Sequence, residues 1–205
     1  DAAPPAPDAA ANPVPEGCNP VGGEWDCLMP FPSDVYRVAD PAMPSGFRVE
    51  IAEAAQPRNY DGEHLNLLAL HPADGFSPAS QIMALVPHDL APGQLVTLDA
   101  DYTVSLRPES RTVLIDAATG ERVLHIADVD LRAPDAARRA LIIRPQVRLK
   151  DSTRYIVAIR HVVDAVSGKG GALGLDAAGA PALPSGKVRE FDNWAKAHLP
   201  APEVL

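Results

Sequence analysis

Ser77 has the most nearly catalytic setting of any residue in this chain. It lies in Gly75-Phe76-Ser77-Pro78-Ala79, close to the G-x-S-x-G nucleophile elbow, whose strained strand-to-helix turn leaves no room for side chains at the flanking positions. The match fails twice. Ala79 replaces the second glycine, and Pro78 removes the backbone N–H after the serine, a group that normally helps to form an oxyanion hole. Ser77 therefore reads as a loop serine that caps a turn, and no catalytic residue is assigned.

The other groups capable of chemistry are dispersed. His64, His71, His88, His125, His161 and His198 form no HExxH and no i,i+4 pair, so each reads as a surface or strand-edge residue. His161 stands apart, because Arg160, His161 and Asp164 fall at a strand end where a partner domain could sit. Asp99 with Asp101, Asp128 with Asp130, and Asn59 with Asp61 and Glu63 are acidic clusters that could bind Ca²⁺. They lack EF-hand spacing and read first as solvated turns. No cofactor is assigned: Gly168, Gly170 and Gly171 precede no Lys-Ser/Thr helix start, so no phosphate loop is formed. Cys18 and Cys27 are an even pair in a Pro/Gly-rich segment and read as a disulfide. A metal site is the weaker alternative, since no CxxC or nearby His pair completes four ligands. Trp25 and Trp194 are too isolated for a carbohydrate platform and read as packing residues.

The chain that must position these groups has 205 residues, enough for one domain with extensions. Its 22 prolines and 14 glycines oppose long helices and favour short strands with many turns. A net charge of −9 and the lack of any basic run beyond Arg138-Arg139 argue against nucleic acid, whose phosphates demand clustered Lys and Arg. No apolar run approaches the roughly 20 residues that span a bilayer. The chain begins at Asp1 with no Lys or Arg before Arg37, as expected of an exported protein, secreted, periplasmic or on the cell surface, whose signal peptide has been removed.

Residues 1–17 are Ala, Pro and acidic residues, predicting a flexible tether. The folded domain is expected over 18–175, with Trp25, Leu28, Phe31, Val35 and Tyr36 as early anchors. Within Leu141–Gly171, Arg139–Leu149 and Thr153–Val163 read as two long strands joined by the turn Lys150-Asp151-Ser152. Alternation puts Tyr155, Val157 and Ile159 on a buried face and Ile156, Ala158 and Arg160 on a partly buried one. Phe47–Ile51 and Gln81–Val86 predict short strands, while Tyr60–Leu70 fits a strand or a helical turn. Thr103–Leu106 leads into a hairpin: Arg111–Ile115, the turn Asp116–Gly120, then Glu121–Ala127, with Gly120 at positive φ. The sum is an all-β sandwich. Residues 176–205 predict a linker and a short C-terminal helix, with Val188, Phe191, Ala195 and Leu199 near helical spacing, Trp194 beside them and Pro200 as the stop. The abrupt end at Leu205 suggests a fragment, with Phe191 and Trp194 as contacts to a further domain.

Three motifs, in order, resemble a known family. Pro30-Phe31-Pro32-Ser33-Asp34, Asp74-Gly75-Phe76-Ser77-Pro78, and the set Leu149, Thr153, Tyr155, Val157, Val163, Asp164 and Gly168 are similar to the bacterial virulence-factor lipase N-terminal domain, across roughly residues 27–170. The resemblance implies an Ig-like β-sandwich that precedes an α/β-hydrolase domain carrying the catalytic serine. On that reading the chain is the non-catalytic leading part of a lipase- or esterase-like serine hydrolase. Its partner is the hydrolase domain beyond Leu205, through which it meets an ester or lipid substrate. A stand-alone adhesion or surface-binding module is the alternative, and a metal-dependent enzyme resting on the scattered His and Asp is a third.

Overall fold

Frequent prolines keep the strands of this chain short, so its core is assembled from many small pairings. The structure, a computed structural model, describes residues 16–19, 27–66, 68, 72–85, 89–135, 138–165 and 170–171. Among them run β1 (Arg37–Ala39), β2 (Phe47–Val49), β3 (Ile82–Leu85), β4 (Thr112–Asp116), β5 (His125–Val129), β6 (Ala140–Pro145), β7 (Tyr155–Ile159), β8 (Val162–Val163) and β9 (Gly170–Gly171). They pair antiparallel as β1-β2, β3-β6-β5, β4-β7 and β8-β9. Phe31 and Met83 exchange two backbone hydrogen bonds, of 2.9 and 2.8 Å, so the chain near Phe31 lies along β3.

The predicted strands are present, but the chain changes sheet between them. β6 pairs with β3 and β5, whereas β7 pairs with β4, so the turn at Lys150-Asp151-Ser152 is a crossing between sheets. β6 stops at Pro145, short of the expected Leu149, because proline offers no N–H to continue a ladder. The second long strand divides after Ile159. His161 has a φ of 53°, a left-handed geometry that interrupts a ladder but that histidine tolerates better than most residues. The chain then resumes as β8.

The Asp116–Gly120 turn forms as predicted. Gly120 has a φ of 76°, its N–H reaches the Asp116 carbonyl at 2.8 Å, and the Asp116 N–H reaches the Glu121 carbonyl at 3.0 Å. The hairpin ends almost at once. Val123 still donates to Leu114 at 2.8 Å, but β5 then leaves to pair with β6. Thr103–Leu106 falls in a 3-10 helix, Tyr102–Leu106, capped by the Asp101 side chain; two more 3-10 turns span Asp34–Tyr36 and Glu53–Ala55. The helix predicted near 186–199 lies outside the described residues.

The main core joins residues from both larger sheets. Ile82, Ala84, Ala127, Leu141 and Ile143 come from β3-β6-β5, and Leu114 and Ile159 from β4-β7, with Val162 beside them. A second cluster gathers Tyr36, Val49, Ile51 and Ala55, with Leu28, Phe31 and Phe76 packed against it. Val35, expected as an anchor, is instead exposed, since Tyr36 takes the inward position of this short turn. All five residues of β4 are buried, because Val113, Ile115 and Ala158 form a third cluster. The predicted faces of β7 blur for that reason: Ala158 is buried, while Val157 is exposed.

Candidate functional site

The three motifs singled out in the sequence converge in space. In the first, Phe31 meets the ring of Phe76 edge-on with centroids 5.4 Å apart, and Tyr36 at 6.3 Å, geometries that aromatic quadrupoles favour. Both Pro30 and Pro32 follow cis peptide bonds. Ser33 caps the next turn by accepting the Val35 N–H at 3.3 Å. Asp34 reaches Arg37 at 3.4 Å and, across the sequence, Arg154 at 3.3 Å, a residue that lies between Thr153 and Tyr155 of the third motif. The second motif is tied to the third by the Leu149 N–H, which donates to the Pro78 carbonyl at 3.2 Å, and Ala73, just before it, is held to β2 by the Val49 N–H on its carbonyl at 2.7 Å.

Ser77 serves the turn, as its sequence setting predicts. Its Oγ accepts the Ala79 N–H at 3.2 Å and its carbonyl accepts the Ser80 N–H at 3.0 Å. Such local bonding is how serine stabilises turns. The hydroxyl is exposed on a loop, and no general base is bonded to it among the described residues.

A polar junction fastens the crossing between sheets. Asp116 is buried, yet its Oδ1 accepts the N–H groups of Ala118 and Thr119 at 2.9 and 3.4 Å, and its Oδ2 accepts Lys150 Nζ at 2.8 Å. Lys150 first, then the Ala118 N–H, holds the carboxyl below its ordinary value, and the same bond raises Lys150. The backbone N–H of Lys150 donates to the Tyr155 hydroxyl at 2.9 Å. One lysine thus links the β4 turn to the start of β7.

His125 corrects the sequence reading. It was expected at the surface or a strand edge, but it is fully buried on β5. Its Nδ1 lies 2.8 Å from the Val123 carbonyl and its Nε2 3.0 Å from Thr112 Oγ1. A carbonyl can only accept, so Nδ1 carries the proton and Nε2 accepts from the threonine hydroxyl. Burial lowers the histidine pKa, because the charged form loses its hydration. Ser105 accepts the His125 N–H at 3.2 Å, and Ser110 donates to the Thr112 carbonyl at 2.7 Å. A signal was available: Val123, Leu124, Ile126 and Ala127 flank this histidine with apolar residues.

The remaining site residues do not assemble into one centre. Cys18 and Cys27 are bonded, and the neighbouring Asn19 is buried, donating its N–H to the Cys27 carbonyl and Nδ2 to the Pro30 carbonyl, both at 2.8 Å. His161 is exposed between β7 and β8; Asp164 is half-buried and bridges Leu90. His64 is half-buried, with Nδ1 3.3 Å from the Gln56 carbonyl. His71, His88, His198, Trp25, Phe191 and Trp194 lie outside the described residues.

The acidic clusters are occupied with their own turns. Asn59 bonds Glu63 through side chain and backbone, Asp101 accepts from Thr103, and Asp128 pairs with Arg144. Hydrogen bonds from Thr97 and Thr103 hold Asp99 and Asp101 low, and the Arg132 backbone does the same for Asp130. Among the described residues no group of His, Cys, Asp and Glu is arranged to hold a metal, and no helix is long and apolar enough to cross a membrane. A groove of about 290 Å³ runs beside β2, floored by Val49, Ile51 and Leu68, and its Arg48 is engaged by Asp40 and Glu50. No protein-family model, curated protein or solved structure matches the chain.

Proposed function

We propose that this chain is a non-catalytic, Ig-like β-sandwich domain of an exported lipase- or esterase-like serine hydrolase, and that it supports the catalytic domain. The observation that carries the reading is the meeting of the three family-like motifs through Phe31 and Phe76 and through Pro78 and Leu149, with Asp34 reaching Arg154 beside Thr153 and Tyr155. Residues far apart in sequence that share a packing role are expected to occur together as a set.

Strand order supports the sandwich. An Ig sandwich sets strands A, B, E and D in one sheet and C, F and G in the other. Phe31, β3, β6 and β5 follow the first order, and β4, β7 and the β8-β9 pair are compatible with the second. The Tyr155 hydroxyl bonded back to Lys150 resembles the tyrosine corner found at the start of strand F. Export is supported by the Cys18–Cys27 bond, since disulfides persist in oxidising compartments.

A fluorophosphonate probe tests the assignment. The chain ending at Leu205 should remain unlabelled and inactive on ester substrates, and the product of its whole gene should be labelled on a serine beyond Leu205. Labelling at Ser77, or a gene that stops at Leu205, would overturn it; the second result would favour a surface-binding module.

A further inference from the structure

We propose that His125 and Thr112 form an acid-sensitive latch between the two larger sheets. His125 lies on β5 of the three-stranded sheet and Thr112 on β4 of the two-stranded one, so their 3.0 Å hydrogen bond spans the interior. Both residues are buried, His125 at 0% and Thr112 at 1% exposure. At this end of the core the two sheets are joined by a bond whose direction depends on one proton.

With the ring neutral, every group in the latch has a partner. Nδ1–H donates to Val123, the Thr112 hydroxyl donates to Nε2, and the His125 N–H donates to Ser105. Adding a proton to Nε2 reverses the central bond. Thr112 Oγ1 must then accept, and its own proton must turn to a different acceptor. The new charge is also enclosed away from water, which is costly without a counter-ion.

The charged surroundings oppose protonation further. Arg122, three residues before β5 begins, acts on the ring with like charge. Asp128 on the same strand is committed to Arg144 of β6. The residue opposite His125 on β6 is Pro145, and the facing groups of Tyr102–Leu106 and β4 are Ser105 and Thr112, none of them ionisable. A proton can therefore be accommodated most readily by opening the contact between β4 and β5.

The sign follows from linkage. Unfolded His125 takes up a proton near the ordinary value of 6.5, whereas the folded form resists it, so stability is complete above that pH and is lost as pH falls below it. The folding constant should drop by up to about tenfold for each pH unit in this window. Urea unfolding of the wild type and of His125→Gln between about pH 7.5 and 4.5 isolates the effect, because carboxylate contributions are common to both. The wild type should show the steeper fall, its ring should titrate below 6.5 by NMR, and amide exchange in β4 and β5 should rise in acid before that in β1 and β2. Should the variant fail to fold, the wild-type ring titration and exchange pattern decide the matter. A folded-state ring titrating at or above 6.5, or a variant with the wild-type pH slope, would overturn the latch.

Discussion

Around Leu114, Leu141 and Ile143 the backbone is satisfied by ladders, and side chains are buried because strands place them on a shared interior. Around Tyr36, Ile51 and Ala55 almost the same degree of burial is reached with little regular structure, with Phe31 and Phe76 half-buried against them. There the Tyr36 hydroxyl lies 3.0 and 2.8 Å from the Cys27 and Leu28 carbonyls, aromatic rings pack at an angle, and a disulfide closes the loop. A ladder tolerates many apolar residues at a given position, whereas a loop cluster depends on particular ones. The difference teaches that Phe31, Tyr36 and Phe76 do by ring packing and side-chain hydrogen bonds what ladders do around Leu114 and Leu141.

The largest effect should come from the strand core. Leu141→Ala removes a side chain of 0% exposure from β6, and such truncations cost about 2–5 kcal/mol. Urea unfolding should show the loss across the whole transition. The corresponding change in the loop cluster, Phe31→Ala, should cost less, about 2–3 kcal/mol, because the ring is only half-buried and full burial sets the upper range. Hydrogen exchange distinguishes the regions: Phe31→Ala should first expose amides between residues 27 and 55. Equal loss of protection in β5 and β6 would mean that the two clusters form one unit, through the Phe31–Met83 pairing.

The disulfide probes the loop cluster from its edge. Replacing Cys18 and Cys27 together by Ala opens a short loop, a change of about 2–3 kcal/mol by chain entropy. The loss should be read in the exchange of residues 27–36 and should leave β4 and β7 protected. A collapse of the whole strand core on reduction would show that the loops, and not the ladders, nucleate the domain.

Legibility in the sequence divides along the same line. Ile82–Leu85, Thr112–Asp116 and the Gly120 turn could be read directly, because short apolar runs and a positive-φ glycine are local signals. Which strands pair is a non-local property: Arg139–Leu149 and Thr153–Val163 look like neighbours, yet the chain crosses to the other sheet between them. His125 escaped notice because a residue type suggests a surface position more strongly than a five-residue apolar setting suggests a core. Phe31 could be read as an anchor, but its contact with Phe76 could not, since nothing local says that the two rings meet.

A smaller effect tests the crossing itself. Tyr155→Phe removes the acceptor for the Lys150 N–H while keeping the ring against the core, so the cost should be about 1 kcal/mol, the net worth of one hydrogen bond. If the β6-to-β7 connection is a tyrosine corner, exchange of the Lys150 amide should accelerate before that of any amide in β7. Unchanged exchange at Lys150 would leave the ring as packing alone.

The subtlest change is expected at the other end of that lysine. Lys150→Met removes the largest cause of the lowered Asp116 pKa, but Lys150 is 61% exposed, so solvent screens the pair and the neutral-pH effect should be slight. Its signature is therefore the pH dependence. The unfolded chain protonates Asp116 near 3.8 while the folded chain resists, so this contribution is present above that value and lost as pH falls through the lowered folded pKa. On the alkaline side the raised Lys150 works in the opposite sense: its contribution is present below 10.5 and lost as pH rises through the raised folded value. Lys150→Met should flatten both flanks of the stability profile, measured by urea midpoints in acid and in alkali, and leave the His125 window between them unchanged. Flattening within that middle window instead would mean that the crossing and the buried histidine respond as one network, and the separation of loop junction from strand core would have to be redrawn.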